Sequence, residues 1–340
     1  MKMWLGWLTA AALLASAPAA VTPAELYKDA RRIMGTFCEV QVYHADADVA
    51  HRALAGALDE MARVDRLLSN YDPASELSRM NQHAATAPFH ASPELFDFVE
   101  RSRAYYTSTN GAFDPTVGPL VRAWGFFTAT PAVPSDAAIA DARRRSGFET
   151  VVLDAATRTV RYMVEGVEVD PGGIGKGVAV DRAVAVLRAA GIQAALVSAG
   201  GSTLYAIGHP PDRDAWRVAL RDPIHPDQPL GTAALRDNAI STSGVTEKFV
   251  MVGARRLSHL FDPRTGAPME GMCQASVVAP DATASDALTK AAFVLSREDA
   301  RRNFERRGPA FHALRVEGDC AAARTLWTTS WSAAVFALTR

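Results

Sequence analysis

The chain has 340 residues, 49% hydrophobic and 21% charged, with 36 Lys and Arg against 37 Asp and Glu for a formal net charge of −1. That composition excludes wholesale disorder and collagen-like repeats, and the balanced charge supplies no field to gather a polyphosphate backbone, so general nucleic-acid binding is disfavoured. The three cysteines, Cys38, Cys273 and Cys320, lie far apart and form no Cys-x-x-Cys pair. A zinc ribbon or a dense disulfide scaffold is therefore excluded, while one disulfide beside one free thiol remains open, with the pair undetermined.

The N-terminus reads as an address. Lys2 precedes an apolar run from Met3 to Ala15, then Ser16-Ala17-Pro18-Ala19-Ala20. A basic start, a short apolar core and small-residue cleavage sites describe a secretory signal peptide over residues 1–20. The run is too short for a comfortable span of ~20 residues, no second apolar run of that length follows, and no cysteine is placed to carry a lipid anchor. The expectation is an exported, periplasmic protein with no stable membrane span after cleavage.

In the mature chain, residues 22–33 are polar and mixed and read as a lead-in. Phe37 to Tyr43 alternates as a strand. Over residues 47–68, Leu54, Leu58, Met61, Val64 and Leu68 recur at helical spacing. Ser92-Pro93-Glu94 carries an N-cap residue, an early proline and an early acid, which open a second helix to about Thr107. Residues 128–135, with Pro131 and Pro134, read as a surface loop. Residues 150–169 alternate around a turn at Asp154–Thr157 and predict a hairpin whose second strand delivers Asp170 into Pro171-Gly172-Gly173-Ile174-Gly175-Lys176-Gly177. A helix follows from about Val178 to Ala190, ended by Gly191. Strands are predicted at 194–198, 216–221, 248–252 and 274–279, a helix over Asp286–Ser296, and one or two strands in 327–337. Interleaved strands and helices with hairpin-like connections favour an α+β fold over a doubly wound parallel sheet.

The glycine loop is where chemistry is first suggested. Amides of glycines between a strand and a helix can approach a phosphate closely, the helix N-terminus is electropositive, and Lys176 adds a cation. A tight strand-to-helix turn without a ligand explains the same residues. The loop is not a Walker A loop, because Gly177 stands where Ser or Thr follows the lysine, and it is not a dinucleotide-binding fingerprint. Four further segments are unusual for plain loops: Ser69-Asn70-Tyr71-Asp72-Pro73 with Ser75-Glu76-Leu77-Ser78; Gly111-Ala112-Phe113-Asp114-Pro115-Thr116 with Trp124-Gly125-Phe126; Ser241-Thr242-Ser243-Gly244; and His259-Leu260-Phe261-Asp262-Pro263-Arg264-Thr265-Gly266.

In this order, from Met34 to about Leu295, these segments resemble the ApbE family, the FAD:protein FMN transferases. The resemblance implies that residues 21–340 form one two-lobed α+β domain, sheet and helix mixed, with an FAD cleft. It implies transfer of the FMN half of FAD to a Thr or Ser hydroxyl of a partner, with AMP leaving and Mg²⁺ in attendance. The partner would be an FMN-binding domain or a flavin subunit of a redox complex. Met34 and Tyr71 would contact the flavin, Ala112, Phe113 and Asp114 would shape the pocket, and Asp170 would bind FAD. Leu260 would touch it through the main chain. Lys176 would face the pyrophosphate, His259 would be the base for the acceptor hydroxyl, and Asp262 its orienter or a second acid. The metal would lie between the Gly173 carbonyl and a helix starting near Asp286.

Two positions depart from the family's pattern. Where a metal-binding threonine is usual, this chain has Lys290, with Thr289 one residue earlier; helix neighbours lie ~100° apart and cannot both face one point. Either Thr289 supplies the oxygen, or Lys290 occupies part of the metal's electrostatic role, or Lys290 is a solvated helix residue. Ser202 after Gly200-Gly201 stands where Asp or Asn is usual and brings no charge. An FAD pyrophosphatase and a flavin-binding protein without catalysis share the same binding residues.

Overall fold

The computed structural model describes residues 23–125, 133–225, 227–245, 249–252, 255–258, 260–320 and 323–339. The chain opens with a hairpin of β1 (Glu25–Ile33) and β2 (Thr36–His44), so the expected lead-in is a strand. It escapes detection because it is a sheet edge and mostly exposed on both faces, leaving no apolar alternation to read. Helix α1 (Ala47–Leu68) follows, capped by Asp46, whose carboxylate accepts the Val49 N–H. Its buried stripe contains all five of the periodic residues, Leu54, Leu58, Met61, Val64 and Leu68.

Helix α2 (Glu76–His83), β3 (Phe89–His90), α3 (Pro93–Ser108), α4 (Gly118–Ala123) and α5 (Asp136–Arg144) lead to the hairpin of β4 (Val151–Asp154) and β5 (Thr159–Tyr162). The second strand ends at Tyr162, short of the expected Val169. Residues 163–170 instead run irregularly, clamped by Asn81, whose side chain exchanges hydrogen bonds with both Val169 backbone groups at 3.0 Å.

Helix α6 (Gly175–Ala189), β6 (Ala195–Ala199), β7 (Thr203–Ile207), β8 (Trp216–Arg221), β9 (Pro229–Leu235), β10 (Asn238–Gly244), β11 (Phe249–Val252), β12 (Arg255–Ser258), β13 (Phe261–Asp262), β14 (Ala267–Pro268) and β15 (Met272–Ala279) continue the chain. Then come α7 (Ala282–Val294), α8 (Arg297–Arg307), β16 (His312–Asp319), β17 (Ala323–Thr328) and β18 (Phe336–Leu338). Helix α7 starts four residues before the expected Asp286, because Asp281 is its N-cap and accepts the Ala284 N–H.

One eight-stranded sheet, in the order β1-β2-β6-β7-β10-β15-β16-β17, organises the molecule, and every ladder among the described residues is antiparallel. Helices α1 and α6 close one face around Val40, Val42, Leu54, Leu58, Val180 and Val184. The small sheet β8-β9-β18 closes the other with Trp216, Leu230 and Phe336 against Leu204, Val278 and Leu314. Strand β15 is buried along its whole length because it is covered on both sides. Cys273 in β15 bonds to Cys320 just after β16, which resolves the open pairing and leaves Cys38 as a buried free thiol. Among the described residues no helix is long and apolar enough to cross a membrane.

Candidate functional site

The N-terminal end of α6 gathers the residues that carry chemistry. Three turns meet it. The β1–β2 hairpin turns on Met34 and Gly35, both with positive φ, +53° and +69°, the pattern of a two-residue type I′ turn. The left-handed region is costly for a long side chain, and the Met34 N–H is held there by the Asp65 carboxylate of α1 at 2.9 Å. The β6–β7 turn uses Gly200 and Gly201, again at positive φ. A Cβ on Gly200 would lie 2.8 Å from the Thr36 hydroxyl, so these two turns touch. The third is the glycine loop itself.

Asp170 enters that loop with its N–H on the Pro115 carbonyl. Its carboxylate accepts the Gly172 N–H at 2.6 Å and the Asn70 amide at 3.2 Å. Desolvation pushes its carboxyl above the ordinary range, with the Gly172 amide pulling the other way. Tyr71, beside Asn70, presents a ring that is 75% exposed. Ala112 and Phe113 are buried, and the Phe113 ring lies against Gly173, 3.2 Å from where a Cβ would stand. Asp114 is a buried brace that accepts the Thr116 N–H and hydroxyl and the Gly147 N–H, and burial raises its carboxyl to about 6.

The ammonium of Lys176 donates to the Ser202 hydroxyl, so one of the two unusual positions holds the site lysine through a neutral group. Gly177 approaches α7 so closely that a Cβ would lie 2.3 Å from the Ala282 carbonyl oxygen. Its N–H donates to Asp286 Oδ2 at 3.0 Å. Asp181, the last residue of the loop motif, accepts the N–H groups of Ala282 and Thr283 at 2.7 and 2.9 Å and so caps α7 a second time. The hydroxyl cluster in β10 pins the opposite side of α7: Ser241 meets Ser285 at 2.8 Å, and Ser243 donates to Thr289 at 3.0 Å.

These contacts decide between Thr289 and Lys290. Thr289 is turned toward β10, its hydroxyl spent on Ser243 and on the Asp286 carbonyl. Lys290 is on the loop side, its stem over Gly173 and its ammonium on Asp286 Oδ1. It is not a solvated residue: its side chain is 17% exposed and that of Asp286 1%.

Asp262 is held bidentately by Arg264 at 2.8 Å and accepts the Arg264 N–H, so it builds its own turn. That hairpin docks on α4 through the Trp124 indole, which donates to the Gly266 carbonyl at 2.8 Å. The Leu260 N–H donates to Ser258 and its carbonyl accepts from Met269. His259 lies outside the described residues. Asp65 and Asn81 support the site without any sequence signal of their own, since a single polar residue on a helix has many uses.

Residues 34–314 match the family model described as the ApbE family. The chain belongs to the ApbE family. A relative named FAD:protein FMN transferase from Klebsiella pneumoniae (strain 342) is 32% identical over 324 residues, 92% of each chain. One with the same name from Treponema pallidum is 33% identical over 80% of this chain and 79% of its own. Among solved structures, the ApbE protein of Thermotoga maritima superposes with a TM-score of 0.81 at 28% identity, over 90% of this chain and 97% of its own. Against that family's expected Mg²⁺ site, the donors here do not fit. Both Asp286 oxygens are engaged, by an ammonium and an amide, and Thr289 faces away.

Proposed function

We propose that this ApbE-family protein transfers the FMN half of FAD to a Thr or Ser hydroxyl of an acceptor protein. The observation that carries the reading is the convergence of Lys176, Asp170 and the Phe113–Gly173 contact on one end of α6. The acceptor oxygen forms a bond to the FMN phosphorus while the bond from that phosphorus to the bridging oxygen breaks, and AMP leaves with that oxygen. The hydroxyl proton passes to a base, for which the motif offers His259. Lys176 sits where the pyrophosphate gains charge, and a neutral partner, Ser202, leaves its charge uncancelled by that contact. Tyr71 offers a ring face for the flavin. No step is assigned to the Mg²⁺ expected from the resemblance, because its donors are engaged.

The acceptor class proposed is an FMN-binding domain or a flavin subunit of a redox complex, met in the periplasm after removal of residues 1–20. The Cys273–Cys320 disulfide supports that location, since such bonds persist in oxidising compartments. The test is incubation of the mature chain with FAD and an exported FMN-binding domain from the same source, read by flavin fluorescence on a denaturing gel and by acceptor mass. A labelled acceptor heavier by one FMN phosphoester is expected. Free FMN and AMP with an unlabelled acceptor would replace transfer by hydrolysis, and unchanged bound FAD would reduce the protein to a binder.

A further inference from the structure

The Asp286 carboxylate is nearly fully buried, and a buried carboxylate needs a counter-charge. Here the chain itself supplies it. Lys290 stands four residues on, one turn along the same face of α7, and its ammonium meets Asp286 Oδ1. The other oxygen is taken by the Gly177 amide. The Lys290 stem crosses the glycine loop, with Cγ and Cε 3.8 and 3.9 Å from where a Gly173 Cβ would stand. The Lys290 side chain thus runs from beside Gly173 to Asp286, across the gap that a bridging cation would need. Thr289 cannot rotate into that gap without leaving Ser243 and breaking the pin between α7 and β10. Two ammonium groups, Lys176 and Lys290, then flank the glycine loop.

We propose that Lys290 is a built-in cation that excludes a divalent metal from Asp286 and makes FAD binding independent of metal. This rests on the transferase reading and deepens it: the cation beside Asp286 is a lysine of the chain itself. Lys290 is in consequence a specificity-determining residue for the cation.

The test is FAD affinity of the full mature chain, read by flavin fluorescence in chelator and in Mg²⁺, for the wild type, Lys290→Thr and Lys290→Met. The wild type should differ by less than about twofold between the two conditions. Lys290→Thr puts an oxygen into the gap and frees one Asp286 oxygen, so it should bind FAD about tenfold or more tightly with Mg²⁺ than without. Lys290→Met should bind about tenfold or more weakly than wild type in both conditions. Mn²⁺ titration followed by electron paramagnetic resonance gives a readout without FAD: no stoichiometric site in the wild type, one in Lys290→Thr. A wild type whose FAD affinity falls about tenfold in chelator, or which binds one Mn²⁺, would overturn the proposal. So would a folded Lys290→Thr protein with no metal dependence; should that variant not fold, the two wild-type measurements decide alone. FAD that binds under neither condition would sink the transferase reading and this inference with it, whereas metal-dependent FAD binding sinks this inference only.

Discussion

Replacing Gly177 by alanine puts a methyl group where the first turn of α7 already lies. A Cβ there would stand 2.3 Å from the Ala282 carbonyl oxygen and 2.6 Å from the Thr283 Cα. Both are backbone atoms, and neither can swing aside as a flexible side chain would. Restoring ordinary contact needs a separation of about 1 Å between α6 and α7, and overpacking of this kind costs about 1–3 kcal/mol. The same movement weakens the Gly177 amide bond to Asp286, a charge-assisted contact contributing about 1.5–3 kcal/mol. Alanine's better helix propensity returns at most ~1 kcal/mol, and less in a first turn. The net loss is about 2–5 kcal/mol, which for a chain of this size lowers the melting temperature by roughly 4–10 °C. Gly56→Ala is the control: its Cβ would meet only the Val186 methyl at 3.3 Å, and the change should stay within about 1 kcal/mol. Thermal and urea melts of both variants are the assay. A Gly177→Ala protein that melts at or above the wild type would refute the argument, because propensity would then have outweighed the helix contact.

Two further outcomes follow from buried groups. Burial raises Asp114 from 3.8 to about 6. The folded state therefore holds its proton more tightly than the unfolded chain, and the resulting stability is complete below pH ~4 and lost as pH rises through ~6, about 3 kcal/mol in all. Asp114→Asn should gain on the wild type by that amount between pH 4 and 7 in urea melts; a constant difference between the two proteins would contradict it. The Cys273–Cys320 bond spans 47 residues, and cutting it by Cys273→Ser with Cys320→Ser should cost about 4 kcal/mol. A urea midpoint unchanged by the double substitution would show that the denatured chain gains nothing from the bond.

Amphipathic elements were legible because burial writes a period into the sequence: α1 and β8 have the bounds their patterns predict. The strand β1 was not, since it lies exposed at the sheet edge and is fixed by its pairing with β2. The start of α7 was missed by four residues because Asp281, its cap, sits before a run of small residues with no marked period. The site divides in the same way. Motif order brings Lys176, Asp170 and Phe113 forward as candidates but not their partners, since Ser202 and Asn70 come from other turns of the chain. The bidentate grip of Arg264 on Asp262, two residues away, is a matter of side-chain direction that motif order does not carry. The choice between Thr289 and Lys290 also lay beyond the sequence. It was made by Ser243 on another element, which holds Thr289 to β10 and so fixes the rotation of α7.

The start of α6 shows why a loop of four glycines and a lysine need not cradle phosphate by its amides. A helix N-terminus attracts an anion, and in this chain the protein supplies its own: Gly177 donates to Asp286 and Gly172 to Asp170. The Ile174 N–H is taken by the Pro171 carbonyl. An incoming pyrophosphate competes with two carboxylates for this end of the helix, and like charges repel. Side chains have to carry the attraction instead, which gives Lys176 a reason to be held by a neutral hydroxyl. Ser202→Asp tests that logic. A carboxylate in place of the hydroxyl would neutralise the ammonium and add a third negative group, and FAD affinity should fall about tenfold or more, with a salt dependence steeper than the wild type's. Unchanged affinity would mean that the loop amides, and not the Lys176 charge, hold the pyrophosphate.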